Sequence, residues 1–352
     1  MPSRKKRIGI LFHKNPFVSP TGIDQTRLRA ISSGLVKLGY DIEIVAPVSV
    51  SAVLDNDIIV RPLNFLKQTG RYDLVKTSYH GSIKYLDSYN GPVVSRIVRV
   101  VDDSLPERDE SNREELLLLQ QIIKQRASIV TVNNEENRER WRHFYGEPPR
   151  VELVPTGCPA MIPPPGVNPF DDSRKNILFL GSLAAPRMVE MLNQAASRLK
   201  NIAITHLIGL NKACMYGGDD SCALEAGIVN HGEIPETEIW NYIFHADLGL
   251  AFATGPHPFD NDVSKIFNYL RGGLPVVSEA PIINNALIRQ TGFGDIFDHG
   301  DVDGLVEAAK AVLKSPMKAG RESVMRFMAS EHSWDRRARV YAGIFDELPT
   351  GN

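Results

Sequence analysis

Cysteine is scarce in this chain of 352 residues: three, at positions 158, 214 and 222, with no CxxC spacing and no neighbouring histidine pair. Neither a disulfide framework nor a zinc site is indicated. Long hydrophobic runs are missing too, and none approaches the ~20 residues that a membrane-spanning helix needs. The basic stretch Arg4 to Arg7 passes straight into the apolar RIGILF without a cleavage region. The expectation is a soluble, cytoplasmic protein, at most peripheral on the inner face of a membrane. A dominant charge is lacking: the formal net charge is −2, which supplies no field for nucleic acid. No GxGxxG follows the first strand-like segment, which argues against a nicotinamide or flavin dinucleotide. The pairs Asp102 with Asp103 and Asp219 with Asp220 are adjacent and lack the DxD spacing that holds a divalent ion. No cofactor and no metal are expected.

What is present is enough to build two cores. Hydrophobic residues make up 43% of a length that suits two domains. The pattern is α/β from the start. RIGILF reads as a strand, a polar loop from His13 to Gly22 follows, and Leu28, Ile31, Leu35 and Leu38 recur at helical spacing before the strand DIEIVAP. Gly22 starts that helix, either with backbone amides facing a ligand or as a plain N-terminal turn. Strands are read at 73–77 and 92–98, helices at 83–86 and 114–126, then the strand ASIVTV, a helix over 135–145 and the strand VELVPTG. The strand PVVSRIV runs into a charged loop with Arg99, Asp102 and Asp103, where a general base can sit as readily as solvated charge.

Residues 159–172, with the run MIPPPGVNPFDD, are too rich in proline for a helix or a central strand and read as a stiff interdomain linker. The α/β rhythm then restarts near Arg174 with NILFLG, a helix over 188–199 and AITHLIG. The expected organisation is an N-terminal domain over 1–165, a C-terminal domain over 173–330 and a tail over 331–352. In the tail Trp334, Val340, Tyr341 and Phe345 share one helical face that crosses back to the first domain. Two such halves leave a cleft, where a pocket is expected.

The stretch FDNDVSKIFNYLRGGLPVVSEA, 259–280, carries the densest signal. A polar loop leads to Ser264 as a helix N-cap, Ile266, Phe267, Tyr269 and Leu270 keep helical spacing, Gly272 and Gly273 stop the helix, and a buried strand follows. Ligands of α/β sheets lie at strand ends and helix starts, so Ser264, Lys265 and Asn268 fall where an anion is held.

Several segments taken in order, VELVPTG, NILFLGSLAAPR, VNHGEIPETEIWNYIFHADLGLAFA, the 259–280 stretch and the tail HSWDRRARVYAGIF, make nearly the whole chain resemble the two-domain glycosyltransferases of the GT-B fold, family 4 type. The resemblance implies two Rossmann-like α/β domains, a nucleotide-sugar donor such as a UDP- or GDP-sugar on the C-terminal domain, and a saccharide or lipid-linked acceptor on the N-terminal one. It implies transfer of a sugar to an acceptor hydroxyl in polysaccharide or glycolipid synthesis, retaining by default. A diphosphate calls for cations and backbone N–H groups. The resemblance assigns it Lys265 and Arg187, with Gly181 and Ser182 letting the backbone approach, and Gly232, Glu233 and Ile234 at the base.

The family often has two glutamates separated by seven residues, and those positions are here Asp260 and Asn268. An amide hydrogen-bonds a ribose hydroxyl without supplying charge. Asp102 and Asp103 are the candidate bases, and Gly22, His80 and Arg99 belong to the acceptor-side loops. Two alternatives stay open: another nucleotide-sugar enzyme of the same fold, and a binding or scaffold protein with a decayed donor site.

Overall fold

The computed structural model describes residues 6–18, 22–102, 110–171, 173–213, 223–314 and 320–349, with the backbone alone at Asn56, Glu110, Ser111, Asn112 and Asp260. The chain divides into two compact units, Met1–Gly157 with Trp334–Asn352, and Cys158–Ser333.

In the first unit the order is β1 (Arg7–Leu11), α1 (Ile23–Lys37), β2 (Asp41–Ala46), β3 (Ala52–Val53), β4 (Ile59–Pro62), β5 (Leu74–Thr77), β6 (Val93–Arg96), α2 (Glu110–Arg126), β7 (Ile129–Val132), α3 (Glu135–Phe144) and β8 (Arg150–Leu153). The sheet runs β3-β4-β2-β1-β5-β6-β7-β8, parallel except where β3 pairs antiparallel with β4. Strands covered on both faces must be apolar throughout, and Ile8, Ile10, Leu74, Val75, Val93 and Val94 are all sealed from solvent. The segment at 83–86 expected as a helix is instead part of a short 3-10 turn, His80–Tyr85. It begins three residues after β5 ends, and at three residues per turn its six residues make about two turns.

The second unit repeats the plan: β9 (Lys175–Leu180), α4 (Pro186–Leu199), β10 (Ala203–Ile208), β11 (Ile228–Asn230), α5 (Ile239–His245), β12 (Leu248–Ala251), α6 (Lys265–Arg271), β13 (Val276–Glu279), α7 (Asn285–Thr291), β14 (Gly294–Phe297), α8 (Val302–Lys314) and α9 (Arg321–Glu331). Its sheet is parallel, in the order β11-β10-β9-β12-β13-β14. The order reverses at β9, and the crevice beyond the carboxyl end of the switch strand is where open α/β sheets hold ligands.

The proline-bearing segment expected as a stiff interdomain linker is hydrogen-bonded to helices of the second unit. Arg271 donates to the carbonyls of Pro159 and Ala160 at 2.9 and 2.6 Å, and Asn241 and His245 take the amide and carbonyl of Gly166 at 3.0 and 2.9 Å. Such a segment cannot use its carbonyls in a ladder, so side chains of the neighbouring helices satisfy them.

The last helix, α10 (Trp334–Glu347), packs on α1 within the first unit. A Cβ added to Gly34 would lie 2.6 Å from the Ala338 methyl, so the helices touch where side chains are smallest. Tyr40 clamps the far end by donating to Asp346 at 2.6 Å. Trp334, Tyr341 and Phe345 are buried against α1 and the sheet, whereas Val340 is exposed. It is one residue from Tyr341, about 100° round the helix, and so leaves the apolar stripe.

Candidate functional site

At the end of β9 two glycines bring backbones together. Gly181 has φ +101 and donates its N–H to Ile208 O at 2.7 Å. Gly209, with φ +138 after β10, is so close that a Cβ there would sit 2.4 Å from Gly181 O. Any side chain would push the strand ends apart. Gly232, at φ +66 after β11, continues the row, since its carbonyl accepts from Gly209 N at 2.8 Å. Ser182 is half-buried beside Gly181, Glu233 is exposed, and Ile234 packs partly against the core. The spacing of Gly209 from a buried strand was the available signal for it, and it was missed.

Tyr269 fixes α6 against this edge. Its ring fills the space left by Gly249, where a Cβ would fall 2.6 Å from the ring. Its hydroxyl accepts from Leu180 N at 2.7 Å and reaches Leu178 O and Leu250 O at 3.2 and 3.3 Å. Burial drives its pKa upward, so it stays a neutral donor and acceptor. One turn earlier on the same helix stands Lys265. Its ammonium lies 3.7 Å from the centroid of the Phe179 ring and 3.8 Å from where a Gly181 Cβ would be. The residue is half-buried, and burial lowers its pKa to about 7. No carboxylate or carbonyl among the described residues pairs with it, so the ring face is its sole electrostatic partner there.

The loop before α6 is shaped by Asn261, which is 1% exposed. Its oxygen accepts from Thr254 N and Oγ1 at 2.7 and 2.9 Å, and its amide donates to Gly255 O and His257 O, both at 2.8 Å. Asn284 takes Val263 N at 2.6 Å and donates to Asp262 at 3.0 Å. Against expectation, Ser264 does not cap the helix: its backbone is already helical, at φ −62 and ψ −25, and its hydroxyl bonds no helix amide. An N-cap needs extended dihedrals to turn its side chain onto those amides. Asn268 lies one turn beyond Lys265, half-buried, and its amide has no partner among the described residues. The side chain of Asp260 lies outside the described residues.

Arg187, on the first turn of α4, is not a second free cation. It forks onto Glu279 at 2.6 and 3.2 Å and donates to Ala253 O at 2.6 Å. Glu279 is fully buried at the end of β13 and also takes Ala253 N, Gly300 N and His299 Nδ1 at 2.7, 2.9 and 2.7 Å. A buried carboxylate must be paired and hydrogen-bonded, and this one captures the guanidinium. Nothing in the sequence alone singles out Glu279, which lies two residues beyond the strand expected to end at Val277.

In the first unit Asp102 is buried in an ion pair with Arg140, which also donates to Val100 O at 3.2 Å. It braces the segment after β6 rather than facing solvent. Asp103, Asp219 and Asp220 lie outside the described residues. Arg99 is half-buried in the same segment. Gly22 has φ +119 and an open surround, and its carbonyl accepts from Gln25 and Thr26 N at 3.1 and 3.2 Å, so it makes the plain turn into α1. His80 is 4% exposed. Its pKa falls to about 4 through burial first, then the nearby Arg96 and His13.

Among the described residues no group of three or more His, Cys, Asp or Glu side chains is placed to hold a metal ion, and no helix is long and apolar enough to cross a membrane. Cys158 is buried, and its thiol donates to Met328 O at 3.4 Å.

No protein-family model and no curated protein matches the chain. Solved structures do match along its whole length. Sucrose-phosphate synthase from Thermosynechococcus elongatus has a TM-score of 0.75 at 13% identity, covering 97% of this chain and 99% of that one. Anabaena HepE in complex with UDP-glucose has a TM-score of 0.72 at 15% identity, covering 97% and 100%. WaaG, a glycosyltransferase involved in lipopolysaccharide biosynthesis, has a TM-score of 0.61 at 14% identity, covering 96% and 95%. The likeness is one of fold: two Rossmann-like α/β units of the GT-B architecture.

Proposed function

We propose that the protein is a glycosyltransferase that moves a sugar from a UDP- or GDP-sugar to an acceptor hydroxyl. The single observation that carries this reading is Lys265, an ammonium without an anionic partner among the described residues, set at the switch point of the second sheet beside the glycine-built edge of Gly181 and Gly209. A buried cation in that state favours a bound anion. The diphosphate of a sugar nucleotide fits there, with its oxygens within reach of Lys265 and of backbone N–H groups near Gly181 and Ser182. The fold is that of HepE, whose structures hold UDP and UDP-glucose, and this supports a nucleotide-sugar donor. Gly232, Glu233 and Ile234 take the base, and Asn268 and Asp260 the ribose and sugar side.

Arg187, neutralised by Glu279, contributes hydrogen bonds and shape more than net charge. As the diphosphate leaves, negative charge grows on its oxygens, and a fixed ammonium in a half-buried site stabilises it more than water does. Of the two candidate bases Asp102 is held by Arg140, and the reading keeps retention of configuration, which needs no carboxylate base, with the donor phosphate receiving the acceptor proton. The reading extends to hexosyl transfer in polysaccharide or glycolipid synthesis, in the cytoplasm or on the inner face of a membrane, with no metal or other cofactor.

The alternative, a GT-B binding protein without transfer, is favoured by Asn268, an amide where the family pattern has a carboxylate. Incubation with a panel of UDP-, GDP- and ADP-sugars separates them. Slow donor hydrolysis that is abolished in Lys265→Ala supports the transferase. Nucleotide binding without hydrolysis supports the binding protein, and neither binding nor hydrolysis rejects both.

A further inference from the structure

The first unit contains a second cationic group that the reading above leaves unused. Lys76, on β5, is registered with Val94 on β6, so Arg96, two residues further, lies on the same sheet face and nearer the carboxyl edge. That face is covered by α1 and α10: Arg27 of α1 stacks over Trp334, and Lys76 lies 4.6 Å from the centroid of the Tyr341 ring. Lys76 and Arg96 are each 3% exposed and His80 is 4% exposed. Lys76 donates to Thr77 O at 3.2 Å. Among the described residues Arg96 Nη1 and His80 Nδ1 are sealed from solvent without a hydrogen-bond partner, and no carboxylate there pairs with either residue.

Around them, Asp24 is bound by Arg27 at 3.3 Å. His13 and Tyr79 stack beside His80, and Lys14, Lys84 and Glu115 act at longer range. Among the described residues Asp24 is the one carboxylate placed close to Arg27, Lys76 and Arg96. Burying these charges uncompensated costs several kcal/mol per ion. Lys76 shows that cost: desolvation first, then Arg96 and Arg27, pull its pKa well below the ordinary lysine value.

We infer that Arg96, His80 and Lys76 form a phosphoryl-binding site at the carboxyl ends of β5 and β6, which holds a phosphate group carried by the acceptor. The assignment to the acceptor rests on the transferase reading; the anion site does not. A phosphate ester carries about −1.5 to −2 charge near neutral pH and has three acceptor oxygens, which supply acceptors for Nη1 and Nδ1 and a negative charge that favours the protonated form of Lys76. Arg96 and His80 lie nearest the strand ends and contact the phosphoryl oxygens. Lys76 lies deeper, beside a narrow cavity lined by Asp24, Arg27 and Ser78, and acts through its field. Ser78, whose hydroxyl donates to Leu11 O at 2.9 Å, keeps that edge in place.

The test is calorimetric titration of the full chain with inorganic phosphate, glucose 1-phosphate and, as vesicles, phosphatidylcholine carrying a polyprenyl phosphate, each against matched ionic strength. With the donor site filled by saturating UDP, saturable binding of at least one probe is expected, weakened roughly thirty-fold or more in Arg96→Gln. Tighter binding of the sugar phosphate or of the vesicle identifies the carrier. A parallel titration with UDP reads the donor site alone: Arg96→Gln should leave UDP affinity as it was, so failure there counts against the donor reading and not this one. Because a buried substitution can unfold the unit, Lys76→Met serves as the second variant. It should weaken phosphate binding while raising the melting temperature without ligand, since it removes a desolvated amine. No binding of any probe, or equal binding by wild type and Arg96→Gln, overturns the site.

Discussion

Lys265 Nζ lies over the face of Phe179, 3.7 Å from the ring centroid, with no anion of the chain at hand among the described residues. Phe179 belongs to β9 and Lys265 to α6, and Tyr269 ties the two elements through Leu180 N. The ammonium is therefore held by a ring that cannot neutralise it, at a place where the backbone is bare.

That arrangement has a proton signature. Burial lowers the Lys265 pKa from 10.5 to about 7. Between those values the unfolded chain holds the proton and the folded one does not, so this residue makes stability rise with pH across that window. Below about 7 both states are charged and the penalty is complete. An anion at the ammonium reverses the shift. UDP binding near pH 8.5 should take up close to one proton, and near pH 5.5 almost none, read from titrations in two buffers of different ionisation enthalpy. No uptake at pH 8.5 would separate Lys265 from the ligand.

The Asn268 side chain has no partner among the described residues, so Asn268→Ala should change the unfolding free energy by less than about 0.5 kcal/mol. It should weaken UDP by about five-fold, the loss of one hydrogen bond of about 1 kcal/mol. Equal affinity would remove Asn268 from the ribose.

Glu279→Gln leaves Arg187 without its counter-charge at a fully buried position. Breaking a buried pair costs about 3–5 kcal/mol, and Arg187 is partly solvated, so the lower end is expected. Chemical denaturation measures it, and a change under about 1 kcal/mol would show that the pair does not hold α4 to β13.

Tyr269→Phe removes the hydroxyl that accepts from Leu180 N. The buried amide left unsatisfied should cost about 1–3 kcal/mol, and UDP affinity should fall with it because α6 loses its tie to β9. A stable variant with full affinity would mean that Lys265 is placed by other contacts.

The fold was legible because its signals are local. Runs such as RIGILF and NILFLG are buried on both faces and could only be parallel strands, and the Gly272–Gly273 stop marked the end of α6. The short elements were not legible: β14 reads as the turn TGFGD, and β3 and β4 carry too few residues for periodicity. At the site, Lys265 and Gly181 could be found because each follows a clear strand or loop. Glu279 and Asn261 could not, since their roles come from partners 92 and 7 residues away in sequence. Arg187 and Asp102 looked free for the same reason, their partners Glu279 and Arg140 being distant along the chain.

The central claim is that Lys265 receives the diphosphate, and its most direct measurement is UDP affinity of the full chain at pH 7 and 0.15 M salt, wild type against Lys265→Ala. The account predicts saturable binding by the wild type and a loss of roughly tenfold or more in the variant, whose fold is retained because the lysine pairs with no carboxylate. Equal affinity in the two proteins would contradict it.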